Sequence, residues 1–227
     1  MEQTQSPSPV SRVPDGAPAG IAIAIASLLT LVSIAHHPTT SKALKAADAI
    51  PAIVALSGAD RMVHTIVIGT MLALLFGFAV YALRRGLHRS AVIGGLIAFT
   101  FGIATTIGAA LIDGFLIPEI ASRYVDATAE LMNRSAMLLQ TCSLAIQVAT
   151  KAGLVGMSLG IVLWSADLIL DKGFLRIAGI VGVLAGIVPA VLTLSGGYLN
   201  PHSLMIVIAI QTLWYLTIAT ALLLRRV

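Results

Sequence analysis

Residues 91–112 read AVIGGLIAFTFGIATTIGAALI, with neither a charged side chain nor a proline among them. As a helix rising ~1.5 Å per residue this stretch reaches ~33 Å, enough to cross the ~30 Å hydrocarbon core of a bilayer. A helix apolar on every side belongs in lipid or deep inside a large core. Working outward, further apolar runs fall at about 20–35, 63–83, 148–170, 174–195 and 204–224. Six such runs in one chain predict six spans.

The whole composition agrees. Of 227 residues, 58% are hydrophobic and 11% charged, whereas a soluble domain carries ~25% charged residues. A water-soluble globule is excluded. The formal charge of +4 could in principle mark a nucleic-acid partner, but Arg84, Arg85, Arg89, Arg225 and Arg226 stand at the ends of apolar runs, where positive charge anchors and orients membrane helices. No nucleic acid is expected. The single cysteine, Cys142, allows no intrachain disulfide and no cysteine-based metal cluster.

The fold class expected is therefore all-α: an integral membrane protein of six transmembrane helices in an antiparallel bundle, with both termini cytoplasmic. The short connections at 84–90 and 171–172 join antiparallel neighbours. With the termini inside, eight Lys and Arg residues lie on the inner side and six on the outer, in the direction of the positive-inside rule. The localisation expected is a bacterial-type cytoplasmic (inner) membrane, crossed several times. Residues 1–19 hold four prolines and read as a disordered tail, with 20–227 as the transmembrane domain. An alternative for the first run is a signal sequence cleaved after Ala35, which would leave His36 as a copper-gripping N-terminus. The proline-rich start with little net positive charge argues against it.

The fourth helix is the longest. Residues 128–170 contain no proline and would run ~64 Å, about twice the hydrocarbon thickness, so its first half should extend outside. Asn133, Gln140, Gln147, Lys151, Ser158 and Ser165 fall on one line of it, a polar seam entering the bundle. Gln211, Trp214 and Tyr215 sit at mid-depth in the sixth span and need partners there, for which Thr100, Thr105, Thr106 and the serines of the fourth helix are candidates. GMSLG at 156–160 and GVLAG at 182–186 place small residues four apart, as close helix packing in lipid requires. Pro189 should kink the fifth span. Residues 41–61 have the composition of a short helix lying on the outer surface.

Four of the five histidines gather on the outer side in this topology: His36, His37, His64 and His202. Imidazole is a common ligand of zinc, copper and haem iron. If the first helix continued through His36 and His37 they would point ~100° apart, so at most one of the pair faces the bundle. A charge near the membrane boundary must be paired, snorkelled or wet, and Asp113 and Lys151 are expected to face one another across an outer pocket. The competing reading has Lys151 snorkelling and Asp113 capping a loop at 114–118.

Three functions follow. In the leading one, His36, His37, His64, His202 and Asp113 supply ligands to a transition metal, copper or zinc, or to haem, in a redox, hydrolytic or metal-handling role. Gln140, Gln147, Lys151, Ser158 and Gln211 would then line the outward-facing pocket. In the second, the seam of helix four serves a small-solute or ion transporter. In the third, the chain is a non-catalytic membrane scaffold that binds a partner subunit or itself through residues 127–147. No nucleophile elbow, phosphate loop or dinucleotide fingerprint occurs.

Overall fold

The structure is a computed structural model that describes residues 14–38, 46–196 and 199–227. It is all-helical, and among the described residues there is no strand. In chain order the helices are α1 (Gly16–Ala35), α2 (Ala46–Arg85), α3 (Ser90–Leu111), α4 (Ile117–Tyr124), α5 (Ala129–Ile169), α6 (Phe174–Ser195) and α7 (Pro201–Leu223). A π-helical turn, Ile112–Leu116, joins α3 to α4 without a break. Six helices are long and apolar enough to cross a membrane, with α3, the π turn and α4 counting as one. The chain has the helices of a multi-pass membrane protein.

Each long helix packs on the next in chain order: α1 on α2, α2 on α3, α3 on α5, α5 on α6 and α6 on α7, and α7 returns to α1. The bundle is thus a closed ring. Its tightest seams are built on glycine, because only a missing side chain lets two helix backbones approach in lipid. A Cβ on Gly156 would lie 3.0 Å from the Gly102 backbone of α3, and one on Gly186 of α6 would lie 2.7 Å from the Ser158 carbonyl of α5. Outward, side chains such as Ile97, Leu184 and Leu213 are exposed, a surface suited to lipid rather than water.

The lower half of the ring is filled by aromatic rings. Phe78, Trp164 and Trp214 form a triangle of nearly parallel rings, with centroids 5.0, 5.7 and 6.3 Å apart. Phe99, Tyr81 and Tyr215 meet this stack at steeper angles. Each indole N–H is satisfied by a neighbouring helix, Trp164 by the Val92 carbonyl and Trp214 by the Ala178 carbonyl. Below the stack, Asp167 of α5 accepts from Arg85 at 2.8 Å and from Arg89 at 3.0 Å. Arg84 ties the same end together, donating to the carbonyls of Val227 and Pro14.

Several expectations change in detail. The first helix starts at Gly16, inside the stretch read as tail, because the Asp15 carboxylate caps it by accepting from the Ala17 N–H. Residues 1–13 lie outside the described residues. The stretch read as a surface helix, 41–61, is not a separate element from Ala46 onward. It is the start of the 40-residue α2, and Pro51 is tolerated near that start; residues 41–45 lie outside the described residues. Residues 114–118 are helical rather than a loop. The long fourth span is a single helix of 41 residues, begun by the Thr128 side chain accepting from the Leu131 N–H. α6 runs unbroken past the buried Pro189.

Candidate metal centre

The end of the ring opposite Asp167 holds His36, His37, His64 and His202. α1 stops at Ala35, and His36, with φ −106° and ψ 14°, turns the chain out of the helix. The next residue is therefore freed from the helical ~100° step. His36 folds back outward, its Nδ1 2.9 Å from the Val32 carbonyl, while His37 turns inward. His64 stands on α2, one turn beyond Asp60, so both side chains share a face. Asp113 sits in the π turn, a local widening of the helix that recurs at functional sites. Gly114 follows it, and any side chain there would occupy the space of the His64 ring. The missing Cβ is what lets α3 deliver Asp113 to α2.

The geometry is tight. His37 Nε2 lies 3.4 Å from His64 Nε2, and the rings meet edge-on at 87°. Asp113 Oδ2 is 3.4 Å from His64 Nε2 and 3.8 Å from His37 Nε2. The other ring nitrogens point away to acceptors. His64 Nδ1 is 2.9 Å from the Asp60 carbonyl oxygen and 3.3 Å from its Oδ1, and His37 Nδ1 is 2.8 Å from the Pro38 carbonyl. With both Nδ1 atoms turned to carbonyl acceptors, both Nε2 atoms face the same gap. His37, Asp60 and His64 each offer an atom within 4.8 Å of the others, a group that could hold a metal ion. His64 is the most buried of the set, its side chain 7% exposed.

A cavity of about 360 Å³ opens beside this group and descends between α1, α2, α3, α5 and α7. His37, His64, Asp113 and Gln147 line its upper part, and Gln211, Thr212 and Tyr215 its floor. Gln147 pins the mouth by pairing with both backbone groups of Leu199, at 2.8 and 3.0 Å.

Set against the sequence expectations, the structure brings His37, His64 and Asp113 together and leaves other candidates apart. His36 is exposed and turned outward. His202 follows Pro201 at the same end of the ring, but it is exposed on the first turn of α7 and outside the cluster. Among the described residues no ion pair joins Asp113 to Lys151, which corrects the expected facing pair. The aspartate turns to the histidines, whereas Lys151 Nζ reaches the Gly196 carbonyl at 3.4 Å. The polar seam of α5 also divides. Asn133 and Gln140 are exposed where α5 outruns its neighbours, and neither lines the cavity. Ser158 is buried and accepts from Gln211 Nε2 at 3.0 Å, while Thr105 and Thr106 donate to carbonyls of their own helix. Sequence reasoning missed Asp60, although the D-x-x-x-H spacing to His64 carried the signal.

No known family model, curated protein or solved structure matches the chain. The fold and the site therefore define the class by themselves: a helical bundle with six helices long and apolar enough to span a membrane, and a His/Asp group at one end that could hold a metal ion.

Proposed function

We propose that the protein binds a divalent transition metal through His37 Nε2, His64 Nε2 and an Asp113 carboxylate oxygen, and presents that ion to the cavity. The observation that carries this is the ligand triangle of 3.4, 3.4 and 3.8 Å. Bonds of ~2.0–2.1 Å at tetrahedral angles place neighbouring ligand atoms ~3.4 Å apart, and two imidazoles with one carboxylate suit zinc with a fourth position left open. Asp60 takes the supporting role, fixing the His64 tautomer as a carboxylate behind a ligating histidine does. Tetragonal copper fits this arrangement less well. Haem fits least, since the two Nε2 atoms face a gap the size of one ion, with no room for a macrocycle between them.

An ion so placed is a Lewis acid facing an apolar cavity, suited to hydrolytic chemistry on an oxygen-bearing group or to metal handling. Transport is less well supported, because the filled aromatic layer lies below the cavity floor. The arginine-rich end around Arg84, Arg85 and Arg89 lies opposite the histidines, which supports an outward-facing site and cytoplasmic termini in a bacterial inner membrane. Titration of purified, chelator-stripped protein with Zn²⁺ tests the reading. One equivalent should bind, and binding should vanish in His64→Ala. Failure of the wild type to bind Zn²⁺, Co²⁺ or Cu²⁺ would overturn it.

The scaffold reading has an observation of its own. The first half of α5 exposes Leu131, Met137, Leu138 and Leu144, an apolar face available to a membrane partner or a second copy. Replacing these four with serine should abolish any stoichiometric partner recovered in gentle detergent; an unchanged assembly state would remove this reading.

A further inference from the structure

The cavity below His37 and His64 is long rather than round. Its lining residues recur every three or four positions from Ser143 to Met157 on α5 and from Pro201 to Tyr215 on α7, about four turns of each helix. On α2, Val67, Met71 and Leu74 continue the face that begins at His64. A volume of about 360 Å³, at the small end of the ~300–1,000 Å³ typical of small-molecule sites, spread along that many turns leaves a bore for one slender chain.

Polarity is confined to one end of this bore. Polar side chains do interrupt the walls, but they are turned to the protein. Ser27, Thr30 and Thr106 donate to carbonyls of their own helices, Gln211 donates to Ser158, and the Tyr215 and Thr212 hydroxyl oxygens are sealed from the cavity. At the mouth, by contrast, His37, His64 and Asp113 converge within 3.8 Å of one another. A ligand matched to this surface has one polar end and hydrocarbon for the rest.

We infer that the cavity holds a single unbranched hydrocarbon chain ending in a carboxylate, with the carboxylate at the open position of the metal and the chain running down the bore. The carboxylate half rests on the metal reading above; the bore does not. A divalent ion with two neutral imidazoles and one aspartate keeps a positive charge that an anionic head offsets. Without the ion, Asp113 repels that head.

The test titrates chelator-stripped and Zn²⁺-loaded protein in lipid nanodiscs with two series, hexanoate to palmitate and hexanol to hexadecanol, empty nanodiscs correcting for partition. Binding is read from Trp fluorescence, since the Trp214 ring lies 6.1 Å from that of Tyr215 on the cavity floor. In both series affinity should rise by up to about fourfold per methylene and level off at the length that fills the bore. Partition into lipid goes on rising. Thr30 bonds to Thr70 across α1 and α2, so Ser27, one turn further in, stands level with Leu74. Ser27→Leu should therefore move the levelling-off to shorter chains and Leu74→Ala to longer ones, opposite shifts that general damage to the fold does not produce. No saturable binding, no levelling-off, or any pattern of shifts other than this one would overturn the chain site. Zn²⁺ should raise alkanoate affinity about tenfold or more and leave the alkanols unchanged. Zn²⁺ uptake without that selectivity would overturn the carboxylate head. A protein that takes up no Zn²⁺, yet keeps the levelling-off among the alkanols, would lose the metal reading and retain the bore.

Discussion

His37 Nε2 and His64 Nε2 lie 3.4 Å apart with their Nδ1 atoms turned to the carbonyls of Pro38 and Asp60. Both Nε2 atoms stand within 3.8 Å of the Asp113 carboxylate, so the three groups can converge on one cation. Removing either imidazole should therefore lower Zn²⁺ affinity by at least a hundredfold in calorimetric titration. Asp60→Asn, which disturbs only the orientation of His64, should cost about ten- to a hundredfold. Equal losses in all three variants would make Asp60 a ligand rather than a support.

Metal should also stabilise the fold and compete with protons. At a free Zn²⁺ concentration a hundred times the dissociation constant, the apparent stability should rise by about 2.7 kcal/mol, seen as a higher melting temperature that a chelator reverses. Because imidazole must be neutral to ligate, acidification favours the proton and weakens binding. The Zn²⁺-induced rise in melting temperature should shrink as the pH is lowered. A rise independent of pH would point to binding elsewhere.

Gly114 makes the closest approach in the site. Gly114→Ala would press a methyl group into the His64 ring, 2.8 Å from Nδ1, so either the π turn or the imidazole must move. We expect a loss of Zn²⁺ affinity with little change in helical content, since Gly114 lies outside the glycine seams that hold α3 on α5. Unchanged affinity would show that the π turn is not what presents Asp113.

Gln211 and Ser158 form the buried polar tie between α7 and α5. Ser158→Ala leaves the Gln211 amide short of an acceptor, and such a loss in a membrane bundle costs about 0.6 kcal/mol, up to ~1.7. Reversible unfolding in mixed micelles should register this, whereas Thr105→Val, which removes only a bond to its own helix, should fall below it.

Cys142, partly buried on the half of α5 toward the histidine end, is a natural reporter of sidedness. In intact cells it should react with a membrane-impermeant maleimide, while a cysteine placed at His88, with Cys142 removed, should react only after the membrane is opened. The reverse pattern would put the histidine end in the cytoplasm.

Much of the architecture was legible before any coordinates. Charge-free runs the length of a bilayer define spans, because an unpaired backbone or charge in hydrocarbon is too costly to permit anything else, and the 41 residues of α5 were foreshadowed by the proline-free run at 128–170. The site was legible only as a set of candidates. Residue type and approximate height singled out His37, His64 and Asp113, but equally His36 and His202, which the fold turns outward.

What separated them is not written locally. Hydropathy fixes where a helix lies along the membrane normal, since that depends on transfer free energies summed over its own residues. Rotation about the helix axis, the exit angle of His37 at the end of α1, and the approach of Gly114 to His64 depend on packing between residues far apart in the chain. The sequence alone determined six apolar helices with histidines near their ends. Only the tertiary structure decided that Asp60 and Asp113 both stand beside His37 and His64 while His202 does not, because that needs three helices in register at once.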